Sequence, residues 1–303
     1  MKNQKVSRRQ FLQTTALAGA ALMSPWSLSN VLAAEPVAKR TAIDQVTLGK
    51  TGIKLSRLGM GTGVNSGHNQ IGNGKEAFIR LVHHAYDQGI TYFDCAQNYE
   101  TFGWMGDALK GLPREKLFIQ SKVPGKPEDV LATIDNHRKT FQTDYIDSLL
   151  VHCMTKDGWV DEWKRVMDGF NEAKERKWIH AKGVSCHKIG ALREAVASNF
   201  NEVHLVRVNP QGWHMDDVTR ADIEGNADVT PVFDQLKLMR GKDRGVIGMK
   251  IFGNGDFKTE AAREKSLRYA MSLKELNAVV IGFETPQQVD DTIKMMNRVL
   301  AEA

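Results

Sequence analysis

Three cysteines in 303 residues are too few for a disulfide framework. Long apolar runs are missing too. The stretch Ala16–Met23 follows Gln13, Thr14 and Thr15, and it is short of the roughly 20 apolar residues that span a bilayer. After residue 34 there is no linker rich in proline, glycine or serine and no low-complexity tract. No Gly-x-Gly-x-x-Gly fingerprint occurs, which argues against a doubly wound sheet. Gly72-Asn73-Gly74-Lys75 is not a phosphate-binding loop. Asn69 stands where the earlier glycine is required, and Glu76 replaces Ser or Thr. The Cys and His spacings match no metal motif, so no metal is expected. What is present is globular: 42% hydrophobic and 25% charged residues, which excludes a disordered, collagen-like or coiled-coil chain.

The formal charge of +5, from 41 basic and 36 acidic residues, invites a nucleic-acid reading. Its location removes that reading. Residues 1–34 carry Lys2, Lys5, Arg8 and Arg9 and no acid, followed by a short apolar stretch and a small-residue exit at Ala33-Ala34. This is the layout of a cleavable signal peptide. Ser7-Arg8-Arg9-Gln10-Phe11-Leu12 resembles the twin-arginine export motif, with Gln13 where a lysine is frequent. The resemblance implies the export machinery as a partner and a protein delivered folded to the periplasm, with no stable membrane anchor. Few cysteines suit folding in a reducing cytoplasm. The rest has 37 basic residues against 36 acidic ones, so nucleic acid is not an expected partner.

Residues 35–303 alternate short apolar runs with amphipathic stretches. The runs are Leu58-Gly61, Thr91-Asp94, Leu117-Lys122, Ile146-His152, Ala181-Ser185, Val203-Val208, Val246-Lys250 and Ala278-Ile281. Between them, apolar residues recur at helical spacing, as at Ala77, Leu81, Val82 and Ala85, or Val289, Ile293, Met296 and Val299. Eight strands each followed by a helix predict a single-domain (β/α)8 barrel, of the α/β class, over residues 35–303. Functional groups of that fold stand at the carboxyl ends of the strands. There the chain places Asp94, Lys122 and His152 on consecutive strands, with Tyr99 in the loop after Asp94.

These residues, with Leu48-Gly49-Lys50-Thr51-Gly52-Ile53, Gly89-Ile90-Thr91-Tyr92-Phe93-Asp94, Thr143-Asp144-Tyr145-Ile146-Asp147 and Gly183-Val184-Ser185-Cys186-His187, make the sequence resemble the aldo-keto reductase family over nearly all of residues 35–303. The resemblance implies reduction of an aldehyde or ketone, or the reverse oxidation of an alcohol, with a small carbonyl compound as partner. Tyr99 would be the acid, Lys122 would lower its pKa, Asp94 would hold Lys122, and His152 would orient the carbonyl. The stretch Leu48–Thr62 would be the hairpin that plugs the barrel floor followed by the first barrel strand. A nicotinamide cofactor, NADP or NAD, would lie against Gly61, Thr62, Ser185, Cys186, Met249, Lys250, Gly282, Gln287 and Gln288.

The chain departs from the family in that pocket. Cys186 stands where the family has Asn, and Leu205, with His204 beside it, where it has Gln. Met249-Lys250 replaces the usual stacking aromatic. Glu284 stands where a basic residue pairs with the 2′-phosphate, although Lys250 can reach the cofactor's phosphates. The short tail after Leu300 implies an open site. Trp159 and Trp213 are candidate walls of the substrate cleft, and Arg240, Lys242 and Arg244 read as a solvated turn. Cys95, Cys153 and Cys186 each follow a strand-end residue. They read as three buried fillers near the barrel mouth, or as a thiol or metal site with His152 and His187. The altered pocket leaves a second class open, an exported barrel with a binding or accessory role. A third option is an enzyme whose cofactor is loaded before export and retained.

Overall fold

A computed structural model describes residues 40–215 and 217–302. The expected signal peptide, residues 1–34, lies outside the described residues. The strands are β1 (Gln45–Thr47), β2 (Lys54–Ser56), β3 (Leu58–Gly61), β4 (Tyr92–Asp94), β5 (Phe118–Val123), β6 (Ile146–Met154), β7 (Ile179–Cys186), β8 (Val203–Arg207), β9 (Gly245–Met249) and β10 (Ala278–Gly282). Among the described residues, β3 to β10 close a barrel of eight parallel strands, with β10 pairing β3. Each of the eight runs read from the sequence is one of these strands.

The helices are α1 (His68–Ile71), α2 (Lys75–Asp87), α3 (Met105–Leu109), α4 (Val130–Thr140), α5 (Trp159–Glu162), α6 (Lys164–Glu175), α7 (Ile189–Ala197), α8 (Thr230–Gly241), α9 (Glu260–Ser272) and α10 (Pro286–Ala301). Their apolar faces meet the outward-facing strand residues. On β5, Ile119 and Val123 face outward into this layer, and Ser121 bonds His137 of α4 at 2.9 Å. The alternate residues Phe118, Gln120 and Lys122 therefore point into the barrel, as a side-chain period of two requires. Tyr92 and Phe118 stack edge to face at 5.0 Å inside, and the Tyr92 hydroxyl donates to Gln120 Oε1 at 2.7 Å. Each such buried side chain contributes about 1.5–3 kcal/mol.

β1 and β2 pair antiparallel, Val46 opposite Leu55, and send Leu48 and Leu55 into the inner cluster with Tyr92, Phe118 and Ile247. The hairpin thus closes the floor. Lys50 N–H donates to Asp243 O at 2.7 Å and ties the hairpin to the segment before β9. That segment is not the solvated turn expected. Arg244 is buried, and its guanidinium donates to the carbonyls of Ala195, Val196 and Ser198 at the end of α7, while Lys242 also reaches Val196 O. A helix C-terminus exposes carbonyls that nothing within the helix can satisfy, and these cations satisfy them. No described helix is long and apolar enough to cross a membrane.

Candidate active site

Asp94 ends β4, Lys122 lies inward on β5 and His152 lies inward on β6. All three line one cavity of about 500 Å³ at the carboxyl end of the barrel. The buried Lys122 ammonium donates to Asp94 Oδ1 at 2.8 Å, Asp94 Oδ2 at 2.7 Å and Cys95 O at 2.7 Å. An ammonium has three protons, and this geometry engages all of them. Burial opposes its charge, but the Asp94 carboxylate and Tyr99 more than restore it, so Lys122 is held above its usual range. Asp94 is braced in turn, because its carbonyl accepts from both the N–H and the hydroxyl of Thr62.

Tyr99 enters from the loop after β4 and lines the same cavity. Its ring stands 5.1 Å from Lys122 Nζ and meets the His152 ring edge to face at 5.8 Å. A Cβ on Gly63 would fall 2.2 Å from the Tyr99 ring, so glycine is what lets the ring occupy this place. Here the expectation is corrected. Burial raises the Tyr99 pKa, and Lys122 only partly offsets it. With its protons directed at Asp94 and Cys95, Lys122 acts on Tyr99 mostly through space. Tyr99 therefore keeps its proton through neutral pH. His152 is pushed down to about 3 by burial and then by Lys122 and Lys250, so it is a neutral imidazole. Its Nδ1 is buried without a protein partner.

β6 bulges between Val151 and Met154, and the bulge puts Cys153 at φ 62° on the surface. Cys153 Sγ lies 3.1 Å from His187 Nδ1, and its N–H donates to Ser185 Oγ at 2.9 Å. The three cysteines do not share an environment. Cys95 is buried and pushed up to about 11 by burial, and Cys186 Sγ faces Ala191 O at 3.6 Å in the outer layer. The reading of three buried fillers fails at Cys153. Among the described residues no three His, Cys, Asp or Glu side chains are placed to hold a metal.

The cavity wall includes Gly61, Ser185, Leu205, Met249, Lys250, Gly282 and Gln288. Leu205, not His204, faces it; His204 is packed against Arg244. Three expected contacts are absent from the wall. Cys186 faces outward as strand alternation demands, and Thr62 serves Asp94. Gln287 is exposed and bonds Asp291. The tryptophans are corrected as well. Trp159 is buried in the outer layer, with Nε1 donating to Ala191 O. Trp213 donates to Ala221 O under the Arg220 guanidinium, off the wall. The mouth is not simply open, since residues 63–74 pack across it. Val64 closes on Gly282, and Asn69 and Asn73 bond Glu284. Lys258 and Arg263 also join the wall, unnoticed in the sequence motifs. Their signal was the helix start at Thr259, whose side chain caps α9 at the barrel's carboxyl face.

A sequence model described as the aldo/keto reductase family matches residues 57–265. The chain belongs to the aldo/keto reductase family. Members are NAD(P)-dependent oxidoreductases of carbonyl and alcohol groups. A Glycine max protein named "Probable aldo-keto reductase 1" is 32% identical over 190 residues, 57% of this chain and 53% of its own length. The glyoxal reductase of Bacillus subtilis is 30% identical over 148 residues, 47% of this chain and 50% of its own. The chain spans about half the length of these curated relatives. The holo form of an aldo-keto reductase from Bacillus halodurans superposes with a TM-score of 0.66 over 86% of this chain and 96% of its own. At 17% identity, that likeness speaks to the fold.

Proposed function

We propose that the protein reduces the carbonyl of an aldehyde or ketone, or oxidises the alcohol in reverse, with NADP or NAD as cofactor. The observation that carries the reading is the buried Asp94–Lys122 pair beneath Tyr99 and His152 on one cavity. The nicotinamide supplies hydride, which no side chain can. Tyr99 holds a proton at its hydroxyl and delivers it to the carbonyl oxygen as negative charge develops there. The Lys122 ammonium stabilises the tyrosinate left behind, and Asp94 fixes that ammonium. His152, neutral, donates an N–H to the same oxygen and orients the carbonyl.

The pocket suits the cofactor in part. Ser185 Oγ accepts from Cys153 N–H, so its own proton is available to a carboxamide oxygen. Lys258 and Arg263 offer cations to phosphates. Leu205 and the outward-turned Cys186 cannot bond the carboxamide. That observation favours a second reading, a barrel with a binding or accessory role. Titration of purified protein with NADPH and NADH, followed by an aldehyde panel, separates the two. Saturable fluorescence change with turnover supports the reductase, and no binding of either cofactor supports the second reading.

The Arg8-Arg9 motif supports export of the folded protein by the twin-arginine machinery, removal of residues 1–34 and a periplasmic location. Replacing both arginines by lysine is expected to leave the protein in the cytoplasm. Mass spectrometry of native periplasmic protein would then reveal any cofactor retained through export.

A further inference from the structure

The inner cavity holds a cation that the tetrad does not use. Lys250 follows β9 in the left-handed region, at φ 58°, and lines the cavity. Its ammonium is bonded to the neutral carboxamide oxygen of Asn254 at 2.6 Å. Among the described residues, every acid of the cavity wall has another partner. Asp94 is held by Lys122, Asp256 by His214 at 2.7 Å, Glu284 by Asn69 at 2.9 Å and Asp291 by Gln287 at 2.8 Å. A largely buried ammonium without a carboxylate is costly. The cost shows in its pKa, lowered to about 8 by burial and by Arg207 and Lys122. One further ring nitrogen faces the same cavity, braced from behind by a guanidinium. His187 follows β7 on the cavity wall, and Arg207 ends β8 with its guanidinium 2.5 Å from His187 Nδ1.

We propose that Lys250, with His187 on the same wall, forms a subsite for an anionic oxygen, and that the anion is a carboxylate carried by the carbonyl substrate. The substrate class is then an aldehyde or ketone acid. This rests on the reductase reading above. The cofactor's phosphates are the competing source of an anion. Position favours the substrate: Lys250 lines the same cavity as Asp94, Tyr99, His152 and His187, the groups that face the carbonyl. Lys258 and Arg263 are two further cations on the wall that can serve phosphates.

The test compares succinic semialdehyde with its neutral methyl ester. The acid is expected to exceed the ester in kcat/KM by about ten- to a hundredfold, the range of a charge-assisted hydrogen bond. Lys250→Gln should bring that ratio near one, and Lys250→Arg should retain most of it. A ratio near one in the native protein, or an unchanged ratio in Lys250→Gln, overturns the proposal. So does a Lys250→Gln variant that keeps the ratio but binds NADPH more weakly, which assigns the cation to a phosphate. If neither aldehyde is reduced, the reductase reading fails separately. Calorimetric titration with succinate then decides the subsite alone. Binding that Lys250→Gln weakens at least tenfold supports it, and no binding by the native protein overturns it.

Discussion

Tyr99 shows what spacing can and cannot say about a single side chain. Its position five residues beyond Asp94 was legible, as were Lys122 and His152 at their strand ends. Its protonation was not, because that depends on which oxygens occupy the three Lys122 protons, a matter of packing. The same limit explains Trp159 and Cys186, which sit at plausible distances along the chain but face the outer layer. Gly63 carries no motif, yet it makes room for the Tyr99 ring. Gly63→Ala would push a methyl into that ring and displace the hydroxyl. Misplacement of about 1 Å can cost a hundredfold in rate. We expect kcat to fall at least tenfold while thermal unfolding changes little. An unchanged kcat would show that the ring tolerates the methyl where it stands.

Individual elements were read at different depths. The eight strands announced themselves by apolar runs ending in polar residues, and the floor hairpin by its glycines. The bulge in β6 left no trace in the pattern, since one added residue changes the register without changing composition. Nor did the role of Arg244, whose partners are backbone carbonyls of a distant helix end. The hairpin's contribution is separable from chemistry, because Leu55 lies at the floor and the tetrad at the mouth. Leu55→Ala is expected to cost about 2–5 kcal/mol in denaturant unfolding and to leave kcat within twofold of the native value. A variant as stable as the native protein would mean that the hairpin is not part of the cooperative core.

Across the described chain, buried neutral histidines set the response to acid. Burial pushes His137 down to about 3, and burial with Arg244 and Lys242 does the same for His204. Both would titrate near 6.5 in the unfolded chain, so the native state binds fewer protons between about 3 and 6.5. Their stability contribution is complete above 6.5 and is lost as pH falls. From pH 6.5 to 5 each costs about 2 kcal/mol. Denaturant unfolding at pH 7 and pH 5 should show this loss, and His204→Asn should reduce it. Equal stability at both pH values would contradict neutral burial. For the chemistry, the sharpest measurement is a single turnover of NADPH-loaded protein mixed with an aldehyde it reduces, native beside Tyr99→Phe. The proposed roles require both proteins to bind NADPH equally and the variant to oxidise it at least a hundredfold more slowly. Oxidation at the native rate in Tyr99→Phe would contradict them.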